Sequence, residues 1–124
     1  MLLTGIDIIE IDRIQNVLSR YGNRFLNKIF TPDEIQYCRG RSPNLAGRFA
    51  AKEAFVKALG TGFRNNINFK DIEVAKNLHG KPYIIMKEKI SNKIKTLFKV
   101  KKFNVSLSIS DEKKYSIANV IISK

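Results

Sequence analysis

The segment SPNLAGRFAAKEAFVKALGTG, residues 42–62, is expected to form the centre of the fold because it encodes a helix that is apolar on two sides. Its middle has the helical period and is about four turns long. Ser42 or Asn44 is the predicted N-cap, and Gly60 is predicted to follow the last turn. When successive residues are placed 100° apart, small residues collect on one side and larger apolar residues on another. A helix with two apolar sides is expected to be buried.

Charged residues lie around the same helix. Glu53 and Lys57, one turn apart, fall between the two apolar strips, and Arg48 and Lys52 fall on the remaining flank. A charge in or beside a core must be paired or must bind an ion. Two interpretations of Glu53 and Lys57 are open from spacing alone. They form either an ordinary ion pair, worth about 0.3 kcal/mol when exposed, or a pair of groups that act on a ligand.

A third charged group, Asp7, lies in an apolar segment at the start of the chain. Residues 2–9 are apolar enough for a strand, in which Gly5 marks a bulge or a close approach. In strand geometry, Asp7 shares a face with Gly5 and Ile9. A carboxylate among apolar neighbours is costly unless something neutralises it. Asp7 is therefore either a cap or strand-end residue in water, or a ligand of a cation.

The remaining elements are predicted from periodicity and turn residues. A helix capped by Asp12 follows the first strand, and Thr-Pro-Asp-Glu at residues 31–34 begins another helix. Strands at residues 71–75 and 81–86 form a hairpin, and a helix and two more strands follow. The expected fold class is α+β, a small, largely antiparallel sheet packed with the central buried helix and flanking helices. Residues 1–124 are expected to form one domain.

The net charge of +12, from 23 Lys and Arg against 11 Asp and Glu, indicates an anionic partner. Nucleic acid, an anionic membrane, a phosphorylated cofactor and an acidic protein are all compatible with it. The lysines crowded into residues 87–102 are explained equally well by a solvated face. A small basic RNA-binding or ribosome-associated protein is an alternative function that only the charge supports, because no RNP-like aromatic cluster, KH-type loop or zinc spacing occurs.

Cysteine content and hydropathy bear on the location of the protein. No apolar run approaches the roughly 20 residues that span a bilayer, and the N-terminal segment lacks the basic region of a secretory signal. The single cysteine, Cys38, excludes an intramolecular disulfide and fits a reducing compartment. Cys38 is expected to be a small buried residue, and the protein is expected to be cytoplasmic.

Four segments together resemble holo-acyl-carrier-protein synthase, the small bacterial phosphopantetheinyl transferase. They are GIDIIEIDRI at 5–14, GRFAAKEAFVKALGTG at 47–62, HGKPYI at 79–84 and VSLSISDEKKYSIANVII at 105–122. The segments follow the family order over the whole chain. The resemblance implies transfer of the 4′-phosphopantetheine arm of coenzyme A to a serine of apo acyl carrier protein, in support of fatty acid biosynthesis. Adenosine 3′,5′-bisphosphate is the implied by-product.

The resemblance also implies roles for the charged residues. Asp7 and Glu53 occupy the positions of the family's metal ligands, and Mg²⁺ suits two carboxylates completed by phosphate oxygens and water. Lys57 is implied to reach the reacting phosphate. The base that takes the serine proton is either Glu53 or a metal-bound water. Arg13 falls at the position that docks onto an acidic helix of the carrier protein, and Arg20 and Arg24 lie near it.

The remaining implied contacts concern coenzyme A and assembly. The residues implied to contact coenzyme A are Arg48 and Lys52 at its phosphates, Gly60, Thr61 and Gly62 beneath the nucleotide, and Lys81 and Pro82 near the adenosine. Many family members carry a histidine where this chain has Ile109. The family is commonly trimeric with coenzyme A between subunits, so a homotrimer without nucleic-acid or membrane partners is expected.

Overall fold

Strands and helices follow one another in the predicted order in the computed structural model, which describes residues 1–64 and 66–124. The elements are β1 Leu2–Glu10, α1 Ile11–Tyr21, α2 Asn23–Ile29, α3 Pro32–Cys38, α4 Ser42–Leu59, a 3₁₀ turn Phe69–Asp71, β2 Ile72–Lys76, β3 Pro82–Met86, α5 Glu88–Phe98, β4 Asn104–Asp111 and β5 Tyr115–Ser123. The predicted α+β class is confirmed.

The described strands form two antiparallel sheets. β5 lies between β1 and β4 in a three-stranded sheet, and β2 pairs with β3 in the predicted hairpin. Asp7 of β1 lies opposite Ala118 of β5. Alternation along β1 places Gly5 and Ile9 on the covered face and Ile6 and Ile8 on the exposed face. The covered face packs against α4.

Helix α4 is buried on nearly all sides, as its two apolar strips predict. Among its fully buried side chains are Leu45, Phe55 and Val56. Gly60 ends the helix in the left-handed conformation with φ of 78°, as predicted. The predicted N-cap is wrong, because Arg41 occupies that position without a side-chain capping bond. Ser42 instead lies in the first turn, where its hydroxyl donates to Gln15 of α1.

β1 and α4 approach each other closely at Gly5. A Cβ added to Gly5 would lie 2.0 Å from the carbonyl oxygen of Ala54 and 2.6 Å from the amide nitrogen of Ala58. Both are backbone atoms, so no change of side-chain rotamer would relieve the overlap. Gly5 thus fixes the distance between the two backbones, and with it the depth of Asp7 two residues later.

The other predicted helix starts give one success and one failure. Thr31 caps α3 in a complete capping box: the Thr31 hydroxyl accepts from the Glu34 amide, and the Glu34 carboxylate accepts from the Thr31 amide. Asp12 does not cap α1, which begins one residue before it, with Glu10 as N-cap.

Cys38 is buried as predicted, and burial raises the pKa of its thiol. Within residues 1–64 and 66–124, no helix is long and apolar enough to cross a membrane.

Candidate active site

Asp7 of β1 and Glu53 of α4 line one cavity of about 280 Å³. Arg13 of α1 lines the same cavity. Lys57, one turn beyond Glu53, donates to Asp7 Oδ1 at 2.8 Å and to the Ile6 carbonyl oxygen at 3.1 Å. The fold thus brings together the two carboxylates and the lysine that the sequence singled out.

The Asp7 carboxylate disfavours ionisation of Glu53. Burial raises the pKa of Glu53, the negative charge of Asp7 raises it further, and Lys57 opposes both effects. A cation at this position would relieve the repulsion. The described residues contain no cluster of three or more His, Cys, Asp or Glu side chains, so the protein offers two oxygen donors and leaves the others to substrate or water. This donor set fits Mg²⁺, which is usually held by one or two carboxylates together with phosphate oxygens.

Lys57 is less buried than its sequence position predicts. Its side chain is 53% exposed, whereas that of Asp7 is 14% exposed. Ion pairs with such access to water contribute about 0–1 kcal/mol. Exchanging this pair for a phosphate contact would therefore cost little, and the ammonium is accessible to a ligand in the cavity.

Apolar side chains extend the cavity along α1 and α2. A second cavity of about 370 Å³ shares Val17 and Phe25 with the first, so the two adjoin. We call the two cavities together the apolar groove; its apolar walls are formed chiefly by Ile14, Val17, Phe25, Ile29, Phe49 and Phe69. Arg24 lines its far part, and Arg20 is exposed on α1 beside the ring of Tyr21. An apolar groove bordered by arginines suits an acidic protein surface.

Arg48 lies in a separate cavity of about 310 Å³, which Lys76, Pro82 and Ile109 also line. The Arg48 side chain is buried, and its Nε is one of two buried side-chain polar atoms without a hydrogen-bond partner in the described part of the chain. Its guanidinium lies 4.3 Å from the centre of the Tyr37 ring. A buried cation with an unused donor is suited to bind an anion.

Tyr37 and Lys76 were missed in the sequence. Lys76 Nζ lies 5.4 Å from the centre of the Tyr37 ring. A hydrogen bond with Lys76 and the positive charges of Lys76 and Arg48 lower the pKa of Tyr37 against the opposing effect of desolvation. No motif joins these positions, because they meet only when α3, α4 and β2 pack together.

The loop after α4 begins at the end of the helix. The amides of Gly60 and Gly62 donate to the carbonyl oxygens of Lys57 and Val56 and complete the helix end, and the predicted place of these glycines beneath the nucleotide stays a prediction. Thr61 Oγ1 donates to the Gly62 carbonyl oxygen at 2.9 Å. Lys81 is exposed, with Nζ 3.5 Å from the Leu107 carbonyl oxygen. The predicted coenzyme A contacts of Thr61, Lys81 and Pro82 stay predictions.

Residues 4–119 match the family model of the 4′-phosphopantetheinyl transferase superfamily. The chain belongs to this family. It is 49% identical over 120 residues to the holo-[acyl-carrier-protein] synthase of Halothermothrix orenii, covering 94% of this chain and 93% of the relative. It is 46% identical over 123 residues to that of Pelagibacter ubique, covering 97% and 94%. These matches confirm the resemblance drawn from the four sequence segments.

Solved structures of the same transferase family confirm the fold. The Helicobacter pylori holo-[acyl-carrier-protein] synthase in complex with coenzyme A superposes with a TM-score of 0.85 at 34% identity, over 98% of this chain and 100% of that one. The Bacillus anthracis synthase in complex with CoA (3′,5′-ADP) gives 0.79 at 35% identity, over 98% and 96%.

The coenzyme A contact predicted for Lys52 in this transferase is contradicted by its burial. Its Nζ is fully buried and donates to Glu34 Oε1 at 2.7 Å and to the carbonyl oxygens of Ile29 and Phe69 at 2.8 and 3.0 Å. Burial lowers the pKa of Lys52, and the Glu34 carboxylate opposes that effect. Because all three ammonium donors are used inside the protein, none is left for a phosphate. Breaking such a buried pair typically costs about 3–5 kcal/mol, so Lys52 is a structural residue.

Proposed function

We propose that the protein transfers the 4′-phosphopantetheine arm of coenzyme A to a serine of apo acyl carrier protein. The products are holo acyl carrier protein and adenosine 3′,5′-bisphosphate. One observation carries the proposal: Asp7 and Glu53 line one cavity, and Lys57 bonds to Asp7, in a chain that aligns with holo-acyl-carrier-protein synthases over nearly its full length. The RNA-binding alternative has no comparable support, because it rests on net charge alone.

The residues of this chain would contribute charge and position. Asp7 and Glu53 would hold Mg²⁺, which when bound neutralises charge on the transferring phosphate. Lys57 would exchange its contact with Asp7 for an oxygen of the diphosphate, since its ammonium is accessible and its ion pair is weak. Glu53, whose pKa is already raised, is suited to accept the serine proton.

Coenzyme A would need groups from two places on the chain. The cavity at Arg48 and Pro82 shares no lining residue with the cavity at Asp7 and Glu53. If the chain forms the homotrimer that its family resemblance implies, coenzyme A bound between subunits would meet one cavity from each of them. The unused donor of Arg48 supports an anionic group of coenzyme A at this place.

The exposed sheet face supports assembly. On the face of β1 and β5 opposite α4, Leu2, Ile6 and Ile8 are exposed by 59–71%, and Ile117, opposite Ile8, is exposed by 38%. Apolar patches of this kind mark association surfaces. We therefore place the subunit contact on this face.

The assembly predicts a solution mass. Light scattering after size exclusion should give about 43 kDa, three times the 14.2 kDa of one chain. Ile6→Glu should dissociate it, because burying an unpaired carboxylate costs several kcal/mol. Ile85→Glu on β3, an exposed isoleucine of the other sheet, is the matched control and should stay trimeric. A monomeric wild type, or a trimeric Ile6→Glu variant, would refute this assembly surface.

The acidic carrier protein would dock along the apolar groove. Arg13 and Arg24 line it, Arg20 lies exposed on the same helix as Arg13, and the chain carries a net charge of +12. Docking here would bring the carrier serine to the cavity of Asp7 and Glu53.

The single buried Cys38 supports a cytoplasmic setting, where the carrier would serve fatty acid biosynthesis.

The direct test of the function is transfer of label from coenzyme A to apo acyl carrier protein with and without Mg²⁺, beside an RNA-binding assay. We expect Mg²⁺-dependent labelling of the carrier serine, release of adenosine 3′,5′-bisphosphate, and weak, salt-sensitive RNA binding. Tight RNA binding without any transfer would reverse the choice between the two functions.

Arg13→Glu should raise the KM for the carrier protein by about tenfold or more, because charge complementarity governs the encounter of the two proteins. The KM for coenzyme A should stay nearly unchanged, and the KM for the carrier protein should depend less on salt concentration than in the wild type. Steady-state rates at low salt and at about 0.3 M salt, where surface charges are largely screened, measure both effects.

Lys101→Glu makes the same charge change on an exposed residue outside the groove and is the matched control. Equal effects of the two substitutions would show that Arg13 acts only through net charge and that the docking assignment is wrong.

A further inference from the structure

The buried ion pair between Lys52 and Glu34 is linked to the apolar groove through the backbone of two residues that line it. Lys52 extends from α4 to the end of α2 and to the 3₁₀ turn, where it bonds to the carbonyl oxygens of Ile29 and Phe69. Both side chains of the ion pair are 0% exposed. Neither can therefore touch a substrate or a partner protein.

Glu34 is as fully bonded as Lys52. Its Oε1 accepts from Lys52 Nζ and from the Thr31 amide at 2.9 Å, and its Oε2 accepts from the Val74 amide at 2.9 Å. The pair consequently joins α4 to the end of α2, the start of α3, the 3₁₀ turn and β2. Lys52, which makes the contacts on the α4 side, directly precedes Glu53 in the sequence.

Lys52 bonds to the backbone of two residues whose side chains form the groove. Ile29 and Phe69 both line its far cavity. The Phe69 ring also stacks on Phe49 of α4 at 5.7 Å between centroids, and Phe49 lines the near cavity. Lys52 thereby ties the groove walls on α2 and the 3₁₀ turn to the wall on α4.

We propose that Lys52 and Glu34 are positioning residues that set the width of the apolar groove and, through it, the affinity for the acidic carrier protein. This inference rests on the proposed docking of the carrier along the groove. A purely structural role makes a different prediction: removing the pair would lower the folded fraction but leave the affinity of the folded molecules unchanged.

The test uses the double variant Lys52→Met/Glu34→Gln in the whole chain. Removing the lysine alone would leave a buried, unpaired carboxylate and could unfold the protein. Replacing both charges avoids this, because glutamine keeps an acceptor for the Thr31 or Val74 amide. Glu34→Gln alone is the second variant. It retains Lys52 and its two carbonyl partners, and the glutamine oxygen can still accept a hydrogen bond, but it leaves a buried ammonium without a counter-charge.

Lys89→Met is the matched control. Like the double variant, it removes a lysine that contacts the 3₁₀ turn, but this lysine is exposed and paired with Asp71 at 3.0 Å. It also lowers the net charge by one, which the double variant does not, so it tests whether loss of a positive charge alone weakens carrier binding. All variants are compared below the onset of thermal unfolding, with calorimetric dissociation constants for apo acyl carrier protein and for coenzyme A measured separately. Hydrogen exchange at the Val74 amide reports whether the network has opened.

We expect the double variant to bind the carrier on the order of tenfold more weakly, with faster exchange at Val74 and coenzyme A affinity within about twofold of wild type. Glu34→Gln should shift carrier affinity in the same direction by less, and Lys89→Met should change it little. Unchanged carrier affinity in folded double and single variants would overturn the positioning role while leaving the transferase function intact. A wild-type chain that neither binds nor modifies any carrier would overturn the proposed function, and this inference with it.

Discussion

Replacing Asp7 or Glu53 by alanine should lower turnover by on the order of a hundredfold or more while leaving a folded protein. Each substitution removes one of the two carboxylates that line the cavity. Because phosphoryl transfer depends chiefly on charge neutralisation and position, loss of a metal ligand should act on the rate constant. Turnover measured across a Mg²⁺ titration, with circular dichroism to verify folding, is the appropriate measurement.

Asp12→Ala is the matched control, since Asp12 is an exposed carboxylate a few residues after Asp7. It should retain wild-type turnover. Substantial Mg²⁺-dependent activity in Asp7→Ala or Glu53→Ala would show that the metal is held elsewhere.

Because the pKa of Glu53 is raised, the Mg²⁺ concentration needed for half-saturation should depend on pH. Mg²⁺ requires the ionised carboxylate, so a proton on Glu53 competes with the metal. As the pH falls through the raised pKa of Glu53, half-saturation should therefore need more Mg²⁺, and this change should begin at a higher pH than for an ordinary glutamate. Glu53→Gln cannot titrate and should lose this dependence in that pH range.

Lys57→Ala should lower kcat by on the order of a hundredfold and weaken coenzyme A binding much less. The reason is that the ammonium, which reaches the Asp7 carboxylate at 2.8 Å, lies where the diphosphate would react. Lys57→Arg should restore activity only in part, because a planar guanidinium differs in shape and hydration from a compact ammonium. The measurement is a comparison of kcat with the directly determined dissociation constant of coenzyme A.

Weaker binding at an unchanged kcat would reduce Lys57 to a ground-state contact. Lys95→Ala, at an exposed lysine of α5 remote in sequence from the cavity, controls for the loss of one positive charge.

Local signals in the sequence predicted most of the fold. The capping box at Thr31 and the left-handed Gly60 depend on a few neighbouring residues, so sequence alone could place them. The two apolar strips of α4 predicted its burial for the same reason. Helix starts without a capping side chain, at Glu10 and Arg41, carried no such local signal and were misplaced.

The candidate site was predictable only where the geometry of a single helix or strand sets the direction of a side chain. Strand alternation and the helical period bring Asp7 and Glu53 to one cavity, and Lys57, one turn beyond Glu53, reaches the Asp7 carboxylate. The same geometry placed Lys52 on a flank of α4 but could not show that α2, α3 and the 3₁₀ turn cover that flank. Its role was therefore misassigned, and the approach of Tyr37 and Lys76 to Arg48 was missed because it depends on long-range packing.

The contact at Gly5 has a consequence for protein engineering. Replacing glycine by alanine is a common route to higher thermal stability, because it reduces the freedom of the unfolded chain. At Gly47, within α4, the obstacle to a methyl group is the Ile109 side chain at 3.1 Å, which a smaller residue at 109 would remove. At Gly5 the obstacle is the backbone of α4 itself, so no companion substitution makes room. A stabilisation programme for this chain should therefore leave position 5 unchanged. Positions 47 and 109 can be changed together, but both line the Arg48 cavity, so such variants also need a test of coenzyme A binding.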